Sequence, residues 1–402
     1  MAKIRGEMTR RELLRASSFA PVLLARPQGL FAAGYDLVIR GGRVLDASQH
    51  IDRVADVAIR DGRIAAIQPS IPAGAAKEAI DARGKLVTPG LIDIHTHLAD
   101  KEMPPGTCLA DGVTSLLDAG SLGAENVDPL VKIAQSAPNR VRILLNIANH
   151  GIAPGGVGEL LDIQSADVAA ARRVIERNRQ WIVGIKARLS RSVAGEHDVE
   201  ALRRARQVAD PLKVPIMVHV GQTASPLPAI LALLRPGDIV THVYSPPPHG
   251  ILDDNGRVLQ QVRDARKRGV LFDIGNGRTG HLTWEVAERA LQQDFLPDTI
   301  SSDLTAASRT YQVFNFPNVL SKFLLLGMPV DQVIARATTN AARAIPEFKA
   351  YGTLKPGAVA DVAVLDLQEG DFDFVDNLDA KRQGHKKLVA HAVIVGGKRL
   401  KA

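Results

Sequence analysis

Eight apolar runs of strand length, most of them separated by amphipathic helical stretches, constrain the fold of this chain more than any other feature. The runs are LIDIHTH, VTSLLDAG, RVRILLNIAN, IVGIKARL, VPIMVHVG, DIVTHVYS, VLFDIGNG and TISSDLT. Between most of them lie segments such as VDPLVKIAQSA, DVAAARRVIERNRQ, DVEALRRARQVA and WEVAERALQQ, whose apolar residues recur at helical spacing. This alternation predicts a parallel sheet, and near-continuous apolar runs are typical of strands buried on both faces. Eight such strands fit a closed (β/α)8 barrel of the TIM type better than an open doubly wound sheet. No Gly-x-Gly-x-x-Gly follows a first strand to favour the open form.

The two ends of the chain have a different texture. YDLVIRGGRVLD, DVAIRDGRIAAIQ and AIDARGKLVTPG near the start, and DVAVLDL and KLVAHAVIVGGKRL near the finish, read as short strands with glycine turns. They predict a small β-sandwich domain assembled from both ends. The expected organisation is a leader over 1–33, a first β portion over 34–87, the barrel over 88–350 and a second β portion over 351–402.

Composition narrows the function classes. An apolar content of 46% and a charged content of 23% are those of an ordinary globular protein. The longest apolar runs are strand-sized and fall short of the roughly 20 residues of a membrane span. A net charge of +7 invites a nucleic-acid reading, but aromatic residues make up only 4% of the chain. The cations are scattered on polar helix faces, as in Arg203, Arg204 and Arg206. The single cysteine, Cys108, excludes an internal disulfide framework and a cysteine-based zinc finger. At the N-terminus, Thr9-Arg10-Arg11-Glu12-Leu13-Leu14 resembles a twin-arginine export signal. An uncharged stretch, Ala16 to Leu24, follows, and Phe31-Ala32-Ala33 offers small residues for cleavage. This predicts a periplasmic or exported protein; without such a leader the expectation is a cytoplasmic one.

In (β/α)8 barrels the chemistry sits at the C-terminal ends of the strands. The first predicted strand ends in His95 and His97, two residues apart and therefore on one face of an extended chain. The fourth carries Lys186, the fifth ends in His219, the sixth in His242 and the eighth in Asp303. Paired imidazoles suit a metal. A buried, unpaired lysine favours its neutral amine. That amine can combine with carbon dioxide into a carbamate whose two oxygens can bridge cations. The plain alternative is a lysine paired with a carboxylate such as Asp118.

These residues resemble, in order and in strand, the metal set of the amidohydrolase superfamily in its binuclear, carbamylated-lysine form. DGVTSLLDAGSLGA, NIANHGI, GIKARLS and GTLKPGAVADVAVLDL resemble a dihydroorotase-like branch that behaves more as deacetylases. The resemblance implies that His95, His97, Asp303 and a carbamate on Lys186 hold a buried metal, while the carbamate, His219 and His242 hold a more exposed one. The metals are two divalent ions, zinc first, with manganese, cobalt or iron admitted. It further implies that a metal-bridging hydroxide attacks an ester or amide carbonyl of a small acylated acid, with Asp303 as the catalytic acid and base.

The substrate is less defined. Arg188, Asn149, Tyr244, Asn276 and His281 are candidate contacts, alongside His150, His249 and Arg278 in the same loops. An arginine or histidine among them can hold a substrate carboxylate. Relatives of that branch often carry Gly-His-Gly after strand 7, where this chain has Gly275-Asn276-Gly277. Alternative readings are a cyclic-amide hydrolase of the dihydroorotase or hydantoinase kind, a D-aminoacylase, a dipeptidase, or a metal-binding protein that has lost catalysis. The expected partner is a small molecule, with no nucleic acid and no membrane span, and the expected assembly is a homo-oligomer.

Overall fold

A computed structural model describes residues 34–400, so the predicted leader lies outside the described residues. The chain opens with five strands, β1 (Tyr35–Asp46), β2 (Ile51–Arg60), β3 (Arg63–Gln68), β4 (Ala76–Asp81) and β5 (Leu86–Pro89). Seven more alternate with helices: β6 (Leu91–Thr96), β7 (Val113–Ala119), β8 (Arg140–Asn146), β9 (Ile182–Arg188), β10 (Ile216–His219), β11 (Ile239–Thr241) and β12 (Leu271–Phe272). The last are β13 (Val362–Val375), β14 (Lys381–Val395) and β15 (Lys398–Arg399).

Strands β6 to β12 form one parallel sheet in chain order. Every residue of β6 and β7 is buried, as expected for strands covered on both faces. Ile92, Leu117, Leu144, Val183, Met217 and Ile239, one from each of β6 to β11, belong to a single apolar cluster. Only the curling of the sheet brings residues of six successive strands together. The intervening helices follow their sequence signals. The helix Val168–Arg177, for instance, starts where Asp167 accepts a hydrogen bond from the Ala170 N–H, and it buries Ala171, Val174 and Ile175.

The predicted closed barrel needs a correction at its eighth strand. Residues 299–304 stand between the two edges of the curled sheet but do not form a continuous strand. They make isolated parallel bridges, Thr299 to Asp273 on one side and Leu304 to Thr96 on the other. Backbone bonds from Asn276 N to Ser301 O (3.1 Å) and from Asp303 N to His95 O (2.7 Å) tie them to both edges. The ladder breaks because Asp303 lies in the left-handed region, at φ 51°. Ser301 and Ser302 are also tied through their side chains, to Asp273 and Asp93.

The chain ends meet in a second sheet of order β15-β14-β13-β5-β1-β2-β3, with β4 paired to β1. The predicted sandwich is thus one hydrogen-bonded sheet, because β5 joins β1 to β13 and links the early strands to the late ones. It carries a shared apolar cluster that includes Leu37, Val57, Val87, Val362 and Ile394. No helix among the described residues is long and apolar enough to cross a membrane.

Candidate metal centre

The strand ends bring His95, His97, Lys186, His219, His242 and Asp303 to one place. Nε2 of His97 lies 3.0 Å and Nε2 of His95 lies 3.3 Å from Oδ1 of Asp303. The rings of His219 and His242 are 4.1 Å apart, and His242 stands 5.0 Å from His95. All six line or adjoin a pocket of about 470 Å³, whose walls also include Ser121, Arg188, Arg278, His281 and Ser308.

Hydrogen bonding fixes which nitrogen of each imidazole faces the others. Thr241 donates its only hydroxyl hydrogen to a bond with Asp273 (2.7 Å), so its oxygen, 3.0 Å from Nδ1 of His95, accepts a hydrogen bond from the Nδ1–H. Ser121 likewise donates to Asp118 (2.7 Å) and accepts from Nδ1 of His97 at 2.9 Å. Nδ1 of His242 donates to the Gly275 carbonyl at 2.7 Å. Each Nε2 is then left with a lone pair. Burial also pushes the pKa of His95 down to about 4 and those of His219 and His242 well below the usual imidazole range, which keeps them neutral.

The donor set fits a divalent cation. Lone pairs on two imidazoles and a carboxylate facing one another at 3.0–3.3 Å repel unless a cation or proton lies among them. Nε2 of His242 is buried without a hydrogen-bond partner. Two groups, His95 with His242 and Asp303, and His219 with His242 and His281, each hold potential ligand atoms within 4.8 Å of one another. Neutral imidazoles steered by an acceptor on the other nitrogen are the usual form of a metal-ligating histidine. Asp303 is buried among these imidazoles, with Oδ1 toward His95 and His97 and Oδ2 toward His281.

Lys186 is fully buried, with Nζ 3.0 Å from Nε2 of His95 and 3.5 Å from Sδ of Met217. It forms no ion pair among the described residues. Asp118, the alternative partner, is engaged instead by Leu98 N and Ser121. Burial lowers the lysine to about 7, so a large fraction of it is a neutral amine near neutral pH.

The substrate candidates divide. Arg188 and His281 line the pocket. Arg188 is held there by both oxygens of buried Glu159, at 2.8 and 2.9 Å. Nδ1 of His281 lies 3.0 Å from Oδ2 of Asp303. Asn149, Tyr244 and Asn276 do not line it. Tyr244 is fully buried, with its hydroxyl on the Phe295 carbonyl, and Asn276 accepts from the buried ammonium of Lys322 (2.9 Å). Asn149 is half-buried away from the walls. His150 pairs with Glu125 at the surface, and His249 bonds to the Thr223 carbonyl. Ser121, Thr241, Asp273 and Asp93, which orient the site, are not marked in the sequence, because a lone hydroxyl or aspartate beside a strand carries no spacing signal. His281, a possible ligand beside His219 and His242, is expected from sequence only as a substrate contact, because it lies in a loop without periodicity.

Residues 86–400 match the profile of the amidohydrolase family. The chain belongs to that family. This amidohydrolase is 32% identical over 355 residues to a deacetylase of Brucella anthropi, covering 86% of this chain and 88% of the relative. It resembles a crystal structure of an adenine deaminase at a TM-score of 0.83 and 30% identity, over 92% of this chain and 100% of the other. A crystal structure of a dihydroorotase follows at 0.82 and 29% identity, over 91% and 97%. The amidohydrolase is a hydrolytic enzyme of the metal-dependent kind.

Proposed function

We propose that this amidohydrolase removes an acyl group from an ester or amide of a small acylated acid, and so acts as a deacetylase. One observation carries the reading: the converging donors at Asp303 open into a 470 Å³ pocket that also exposes Arg278. The volume suits a small molecule. Among the described residues Arg278 forms no ion pair, which leaves its guanidinium available to a substrate carboxylate. The likeness to a deacetylase over 88% of that relative's length supports the same choice.

In this reading His95, His97 and Asp303 would hold one divalent ion and His219 and His242 the second, with Lys186, as a carbamate, offering an oxygen to each. The neutral Nζ would bond to the carbon of carbon dioxide as one of its C–O π bonds opens onto oxygen, and would release a proton to solvent water, which leaves an anionic group with two oxygens. Zinc suits this mixed nitrogen and oxygen set best. Bound there, the ions supply an activated water and polarise the acyl carbonyl. Asp303, whose Oδ2 faces His281, would take up a proton as the acyl carbonyl is attacked and hand it to the leaving oxygen or nitrogen. Arg278 orients the acid portion, and Ser121 and Thr241 keep His97 and His95 in the required tautomer. The reading also takes the barrel as functionally closed through 299–304, the chain as exported by the twin-arginine route, and the enzyme as a homo-oligomer.

The test measures initial rates of the zinc- and bicarbonate-reconstituted protein on O-acetyl hydroxy acids and N-acetyl amino acids of both hands. Dihydroorotate, hydantoin and adenine stand beside them. Turnover of one acyclic hand is expected, and Arg278→Ala should raise KM for that substrate by about tenfold or more, the range of a lost charged hydrogen bond. Turnover confined to the cyclic amides or to adenine overturns the reading.

A further inference from the structure

The hairpin turn between β13 and β14 belongs to the sheet of the chain ends, yet it grips the loop that carries Arg278 and His281. Asn377, at the turn, is only 6% exposed. Its Oδ1 accepts from the backbone N–H of His281 (2.9 Å) and of Leu282 (2.8 Å). Its Nδ2 donates to the Gly277 carbonyl (3.0 Å) and to Oε1 of Gln312 (3.3 Å). The side-chain amide thus uses both acceptor sites and both donors, a complement that asparagine supplies and aspartate only half supplies. The backbone N–H of Asn377 also donates to the Leu282 carbonyl (2.9 Å). Next to it, Asp376 accepts from Trp284 N (3.0 Å) at the start of the helix Trp284–Leu291, and the Trp284 indole donates to the Ala380 carbonyl (2.8 Å). The segment from Gly277 to Trp284 is therefore fastened near each end to a turn about a hundred residues away in sequence.

The held segment has little freedom to shift without consequence. A Cβ on Gly277 would run into both Asp303 and His281, so the backbone there is already in close contact with the site. Arg278 and His281 leave that backbone to line the pocket.

We propose that Asn377 is a positioning residue that sets Arg278 and His281 against the substrate, and through Arg278 sets the preference for anionic substrates. This rests on the carboxylate-binding reading of Arg278. The experiment compares wild type, Asn377→Ala and Asn377→Asp as full-length, metal-reconstituted proteins. Acetate release is followed from an O-acetyl hydroxy acid and from its neutral methyl ester, with metal content and Tm measured in parallel. Asn377→Ala should raise KM for the acid by about tenfold or more, since displacement of about 1 Å can cost up to 100-fold. KM for the methyl ester should change little. Asn377→Asp keeps the acceptor for His281 and Leu282 N–H and should fall between the two; it carries the test if the alanine variant does not fold. A wild-type preference for the acid that survives both substitutions, or an equal rise in KM for acid and ester, overturns the role of Asn377. Equal wild-type KM for acid and ester instead overturns the Arg278 reading, and the proposal falls with it.

Discussion

Asp303→Asn should retain bound metal and lose about 100- to 10,000-fold in kcat, the range that a positioned proton-transfer group contributes. The carboxylate stands with Oδ1 against His95 and His97 and Oδ2 against His281, so each oxygen has a different duty. Asparagine keeps the volume and one oxygen for the imidazole side, but its amide nitrogen cannot take up a proton. Metal content by elemental analysis and kcat on the best acyl substrate separate these duties. A near-normal kcat in the metallated variant would remove Asp303 from the role of base. Loss of metal together with activity would instead make it chiefly a ligand.

Lys186→Met is the second large effect. Lys186 is buried without a carboxylate partner beside His95, which burdens the fold unless the amine does something there. Methionine fills a similar volume and lacks the nucleophilic nitrogen that a carbamate would need, so the change opens no large cavity. Metal affinity should fall by more than about 100-fold, since even partners one step removed from a metal cost up to that much when lost. Activity should fall in parallel, while Tm of the metal-free proteins stays equal or rises. Full metal occupancy in this variant would rule out a bridging role, and the mass of the intact native protein checks independently for one added carbon dioxide.

Much of the centre was legible in the chain because strand chemistry is periodic. His95 and His97 share a face by the two-residue repeat, Lys186 lies inside the fourth apolar run, and His219, His242 and Asp303 stand toward the ends of theirs. The structure brings all six together. What stayed hidden has physical reasons. Thr241 and Ser121 are identifiable as orienting groups only once their own donors, directed to Asp273 and Asp118, are known. Tyr244 and Asn276 sit beside the right strands but turn to the Phe295 carbonyl and to Lys322. The run TISSDLT has a strand's composition, yet Asp303 at φ 51° interrupts it, so the eighth strand becomes a pair of bridges. Asn377 reaches its loop across the fold, a contact that no local pattern encodes.

The most direct test of the account is the metal dependence of acetate release. The protein is stripped with a chelator, then titrated with zinc in the presence and absence of bicarbonate, on the acyl substrate it turns over best. Activity should vanish on stripping and return fully at two equivalents per chain, with bicarbonate required for full recovery. Undiminished activity after verified stripping, or complete recovery at one equivalent without bicarbonate, would contradict the binuclear, carbamate-bridged centre.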